Sequence, residues 1–370
     1  MEKMMKFPLM LVLLFYSYCA FSQDAYVKPR LENKDSWSMI VIPDPQNYTK
    51  WAANRPILDL MMTWIEENLD SLNVKMVVCV GDLVEFDDIV VPGIDGNTSG
   101  ASQWQYISDM FKRLDGKVPY LAATGNHDYS INKDGLRTTR YPEYFPADKN
   151  FLNTKHLVQN TRNVQDIHTL ENSALELKSL NGKDYLFMTV EYAPRDTVIS
   201  WAKRVADMEQ YKNHRIVLVT HAYLNTKNER TTGENKWFMY QPYYVDKVVE
   251  KSERITLPES NNGQEIWEKL VYPSVNFSMV LCGHISGEGY RNDKNKAGKT
   301  VHQMLFDAQS YGGGHRDGNG GDGWLRIMEF LPDNKTVKVK TFSPLFAISP
   351  TTQQYAWKRD AKNEFVMKLD

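Results

Sequence analysis

The stretch VKMVVCVGD, residues 74–82, is a short apolar, β-branched run that stops at Gly81 and Asp82. A run of that length bounded by turn residues reads as a strand buried on both faces, here Val74 to Val80. Upstream of it Ile57, Leu60, Met61, Trp64, Ile65 and Leu69 share one face at helical spacing, and downstream Trp104, Ile107, Phe111 and Leu114 do the same. Further strand-like runs stand at Trp37 to Ile42, Tyr120 to Ala123, Tyr185 to Val190, Ile216 to Thr220 and Phe277 to Cys282, with another helical face at Val198, Trp201, Ala202 and Val205. Strands alternating with helices predict an α/β fold.

The last third changes character. Thr300 to Phe306, Trp324 to Phe330 and Thr336 to Phe342 are strand-like with no helical period between them, so the chain closes on antiparallel sheet. No internal repeat and no Pro/Ser-rich linker divides the sequence, which predicts one domain over residues 23–370, its core about 37–345, followed by a tail. Of the 370 residues, 42% are hydrophobic and 24% charged, a globular composition; a formal charge of −2 without a long Lys/Arg run leaves no electrostatic footprint for nucleic acid or an anionic membrane surface.

The opening MEKMMKFPLMLVLLFYSYCAFSQ places Lys3 and Lys6 before an apolar run from Phe7 to Tyr16 and ends in the small residues Ala20 and Ser22. Residues 1–22 therefore read as a secretory signal, with the mature chain secreted or periplasmic. The apolar run is too short for a bilayer-spanning anchor, which needs roughly 20 residues. Cys79 and Cys282, each at the end of an apolar run, read as buried thiols, and their pairing is left open.

Metal-ligand residue types follow five of the strand-like runs: Asp44 and Gln46 in VIPDPQ, Asp82 in VVCVGD, Asn126, His127 and Asp128 in ATGNHD, His221 in VLVTH, and His284 in VLCGH. Singly, each has a bland reading as a cap, a turn residue or a satisfied histidine. Together, loops at one edge of a sheet bring them into one pocket of hard and borderline ligands. This order resembles the calcineurin-like metallophosphoesterases, whose pattern is D-x-H, G-D, G-N-H-D or -E, H and G-H-x-H, and the match spans Asp44 to His284.

The resemblance implies a four-layer α/β fold, a two-sheet β-sandwich flanked by helices, with two divalent ions (Mn, Fe, Zn or Mg) above the strand ends. It implies that Asp82 bridges the ions, that Asn126, His221 and His284 complete the second site, and that Asp44 and Gln46 belong to the first. His127 stands near the leaving group with Asp128 orienting its ring. The implied activity is metal-dependent hydrolysis of a phosphomonoester or phosphodiester, on a phosphorylated small molecule or polymer. Such chemistry needs cations to quench the repulsion between an anionic phosphate and its nucleophile, and an imidazole to assist the departing oxygen.

Two residues depart from the pattern: Gln46 replaces the first-motif His and Ser286 the last one, both at the first site. What remains there, Asp44, Gln46 and Asp82, is oxygen-only and favours Mg²⁺, Mn²⁺ or Ca²⁺ over Zn²⁺. The alternative is a metal-stabilised, non-catalytic binding protein on the same fold. His302, inside a strand-like run, and His315, in the Gly-rich YGGGHRDGNGGDGW at Tyr311 to Trp324, are set aside as ligands. That segment's Asp317, Asn319 and Asp322 lack calcium-loop spacing, and the segment reads as a flexible loop near the site's mouth. Glu85, Asp87 and Asp88 read as pocket-lining residues or as a solvated loop, and the aromatics Trp237, Phe238, Tyr240, Tyr243 and Tyr244 as a packing cluster or a substrate cap.

Overall fold

The computed structural model describes residues 26–91, 93–132, 136–233 and 260–370. The expected leader and the aromatic segment at residues 237–244 lie outside the described residues. Alternation along single strands sets the architecture. In Trp37–Ile42, Met39 and Val41 point into one cluster while Ile40 and Ile42 point into another; in Val74–Cys79, Met76 and Val78 separate from Val77 and Cys79 in the same way. In Arg215–Val219 and Phe277–Cys282, Val217, Val219, Met279 and Leu281 join the first cluster, whereas Ile216, Leu218, Val280 and Cys282 face a third. A period of two with both faces apolar is the signature of strands covered on both sides.

The shared cluster is the filling between two seven-stranded sheets. The helices Arg55–Asn68 and Gly100–Lys112 cover the outer face of the first sheet, and Asp196–Ala206 with the helical turns at Gly263–Val271 cover the outer face of the second. The layers are therefore helix, sheet, sheet, helix, the predicted four-layer fold. Cys79 faces one outer layer and Cys282 the other, so both thiols are buried, free and on opposite sides of the sandwich.

In the first sheet Tyr120–Ala122 and Val74–Cys79 run parallel to Trp37–Ile42, and Leu325–Phe330 and Thr336–Phe342 complete it in antiparallel fashion. In the second, Lys183–Thr189, Arg215–Val219, Phe277–Cys282 and Thr300–Asp307 are parallel neighbours. The antiparallel strands Leu157–Arg162, His168–Leu180 and Gly287–Lys294, absent from the expectation, add its two edges. The tail is part of the fold: Trp357–Lys358 and Phe365–Lys368 pair with Thr336–Phe342, and Met367 and Leu369 enter the inter-sheet core. Parallel strands end at one edge of each sheet, and there the metal-ligand residue types gather.

Candidate metal centre

Asp44, Asp82 and Asn126 follow three parallel strands of the first sheet, and His221 and His284 follow two of the second. Ligand atoms of Asp82, His221 and His284 all lie within 4.8 Å of one another. Asn126 bridges the histidines: its Oδ1 is 3.2 Å from His221 Nε2 and 2.8 Å from His284 Nδ1. Asp82 Oδ2 is 3.2 Å from His221 Nε2, and its Oδ1 accepts the backbone N–H of His127 at 3.0 Å.

Backbone geometry holds these groups close. Asp82 and His284 both sit in the left-handed region, at φ +50° and +77°, which non-glycine residues enter at a cost that recurs at functional sites. A Cβ on Gly125 would stand 2.1 Å from Asp82 Oδ1, and one on Gly283 would stand 2.0 Å from Asp44 Oδ1. Only glycine permits either approach.

The donor set fits a divalent cation. His221 Nδ1 lies 2.8 Å from the Val80 carbonyl, so Nδ1–H donates there and the Nε2 lone pair faces two oxygens, Asp82 Oδ2 and Asn126 Oδ1. Three acceptors facing one another require a proton or a cation between them. Asp44 Oδ1 and Gln46 Oε1 are buried acceptors with no hydrogen-bond donor, the kind of orphan that an ion satisfies. Burial, then the charges of Asp307 and Asp82, push the Asp44 carboxyl well above the usual range. Burial also opposes ionisation of Asp82, but His221 and His127 overcome it and hold that carboxyl low; His221 is raised in turn, the pull of Asp82 outweighing burial.

His127 is half-buried beside this cluster. Its Nδ1 is 3.1 Å from the Glu85 carbonyl oxygen and 3.7 Å from the Glu85 carboxylate. Asp128, expected to orient that ring, instead spends its oxygens on backbone: Oδ2 accepts from Gly125 N at 2.7 Å and Oδ1 from Val84 N at 3.0 Å. It ties the GNHD turn to the loop after Asp82, and burial with the nearby Asp82 charge pushes it up to about 8. Glu85 is the ring's neighbour, because its loop is folded in rather than solvated: Gln103 Oε1 accepts Glu85 N at 2.8 Å, and Asp87 accepts Trp104 Nε1 and Arg140 N.

Glu85 is fully buried and faces Lys50, also fully buried, at 3.2 Å, while His315 of the Gly-rich segment lies 2.7 Å from Lys50 Nζ and 3.5 Å from Glu85 Oε2. The segment is pinned at the site's mouth, with Gly323 N donating to Tyr48 Oη at 3.0 Å. His302 is remote in function: Tyr290 Oη lies 2.7 Å from its Nδ1 and the Lys368 carbonyl 2.9 Å from its Nε2. Of the two readings that the sequence left for Glu85, the pocket-lining one holds. Asp307 lies outside the expected ligands, although it closes the strand Thr300–Asp307 under the same strand-end rule that found the others.

The family model for calcineurin-like phosphoesterases matches residues 40–286. YvnB of Bacillus subtilis strain 168, described as uncharacterized, is 27% identical over 318 residues, 84% of this chain and 20% of its own length. The chain thus spans about a fifth of the length of that curated relative. A solved structure titled "GAP50 the anchor in the inner membrane complex of Plasmodium" aligns with 90% of this chain and 89% of its own, at 9% identity and a TM-score of 0.46.

Proposed function

The chain belongs to the calcineurin-like phosphoesterase family, and from that premise we propose that it hydrolyses a phosphomonoester or phosphodiester with two divalent ions held at this centre. The observation that carries the reading is the convergence of Asp82, His221 and His284 with Asn126 between the histidines. Asp82 would be shared between the ions; Asn126, His221 and His284 would hold one of them, and Asp44 with Gln46 the other. Such ions, when bound, supply charge to the phosphate oxygens and acidify a water.

The chain's own groups do the rest. Asp82 Oδ1 holds the backbone of His127 beside the candidate centre and Glu85 engages Nδ1, which positions the ring to assist the leaving oxygen. Asp128 secures the turn on which His127 rides. The apolar, Lys-flanked first 22 residues support action outside the cytoplasm on a phosphorylated small molecule or polymer; among the described residues no helix is long and apolar enough to cross a membrane.

The test is hydrolysis of nitrophenyl mono- and diesters by the purified chain, stripped of metal and resupplied with Mn²⁺, Mg²⁺, Ca²⁺ or Zn²⁺, beside Asp82→Ala. Turnover that needs metal and vanishes in the variant supports the hydrolase. Tight binding of an ion that raises the melting temperature, without turnover under any metal, favours the non-catalytic reading instead, with Gln46 and Ser286 as its cause.

A further inference from the structure

The geometry points to Asp307 as an additional carboxylate ligand of the first metal site, replacing the imidazole that Ser286 cannot supply. This rests on the two-ion reading above. Asp307 is the last residue of a strand parallel to the one that delivers His284, and it pairs across the sheet with Gly287, the neighbour of Ser286. It is fully buried. Its Oδ2 accepts Ser286 Oγ at 3.3 Å, and Ser286 Oγ accepts Ser310 Oγ at 2.7 Å, so the residue standing where the family has histidine is turned toward Asp307.

The carboxylate is also aimed from behind. Gln309 donates its backbone N–H to Oδ1 and its side-chain amide to Oδ2, each at 2.8 Å, as the outer partners of a metal ligand do. Asn47 Nδ2 donates to the Gln309 carbonyl at 2.8 Å, which locks this turn onto the short helix bearing Gln46. Asp44 Oδ1 and Gln46 Oε1 of the proposed first site, and Gln309 Oε1 on the amide that holds Asp307, are buried acceptors with no donor.

Among the described residues neither Asp44 nor Asp307 forms a salt bridge with a Lys or Arg side chain, yet both are buried. Two buried carboxylates sharing one region are costly unless a proton or a cation lies between them. Asp44, Gln46, Asp82 and Asp307 together make an all-oxygen set, suited to Mn²⁺, Mg²⁺ or Ca²⁺ and poor for Zn²⁺.

Metal content and Mn²⁺ titration calorimetry on the full chain test this. The wild-type protein takes up two Mn²⁺; Asp307→Asn weakens one of them about 10- to 100-fold and leaves the other unchanged, with the metal-free melting temperature checking the fold. Two undisturbed ions in the variant mean that Asp307 merely caps its turn, and the proposal fails. Fewer than two ions in the wild type overturn the two-ion reading itself and the role of Asp307 with it. If Asp307→Asn does not fold, Asp307→Glu decides: a longer ligand arm shifts the Mn²⁺/Ca²⁺ preference of one site, whereas an unchanged preference refutes the assignment.

Discussion

His127 Nδ1 is held 3.1 Å from the carbonyl oxygen of Glu85, whose carboxylate stands 3.7 Å from the same nitrogen. A ring so placed assists a leaving group only when that group needs help. His127→Ala is therefore expected to slow hydrolysis of an alkyl phosphate ester by about 10²-fold or more, and a nitrophenyl ester, whose phenolate departs unaided, far less. Glu85→Gln, which removes the charge but keeps the backbone contact, follows the same pattern more weakly. Paired rate measurements on the two esters check this, and an equal loss on both would leave the ring a purely structural part.

Gly283→Ala tests how tightly the first site is built. The new Cβ would meet Asp44 Oδ1 at 2.0 Å and Val80 Cγ2 at 2.8 Å. Overpacking of this kind costs about 1–3 kcal/mol, and here it also displaces a proposed ligand, so stability and metal affinity fall together. Gly233→Ala, with nothing nearer than 3.9 Å among the described residues, is the control and should stay within about 0.5 kcal/mol of wild type in urea titrations.

The parts of this fold that were legible in the sequence are those whose residues carry their own periodicity. Trp37–Ile42 and Phe277–Cys282 are apolar on both faces and emerge with the expected bounds. His168–Leu180 was missed because Glu171, Asn172, Ser173 and Glu176 break the apolar pattern, and that strand is made by its partners. A local signal did exist: Asn181 and Gly182 both have positive φ and join Leu180 to Lys183 as a two-residue hairpin turn. At the site, ligand types directly after strands were readable, whereas the placement of Glu85 depends on Gln103 and Lys50 from elsewhere in the chain. No local pattern encodes that contact.

Lys50 and Glu85 form a buried ion pair at 3.2 Å, with both side chains shielded from solvent. Removing one partner leaves a charge in a dry site, so Lys50→Met should cost about 3 kcal/mol. His315 and His127 beside Glu85 soften that loss. Adding Glu85→Gln to Lys50→Met restores part of the stability, since no isolated carboxylate then remains. A double-mutant cycle in urea measures it; strictly additive losses would mean the pair contributes nothing.

Glu171 should make stability fall as pH rises. It is fully buried, accepts Asn163 Nδ2 at 3.1 Å, and has Glu191 as a like-charged neighbour. Burial first, then Glu191, push it from 4.5 up to about 8. Between those values the folded chain keeps a proton that the unfolded chain has released, so the native state binds more protons and loses stability with increasing pH. One full proton of difference amounts to about 1.4 kcal/mol per pH unit. Glu171→Gln, neutral at every pH, should flatten this slope while matching wild type near pH 5, and urea titrations at pH 5, 6 and 7 compare the two. Parallel curves for variant and wild type would show that Glu171 is already ionised in the fold, its charge carried by Asn163, Tyr129 and the nearby Arg137.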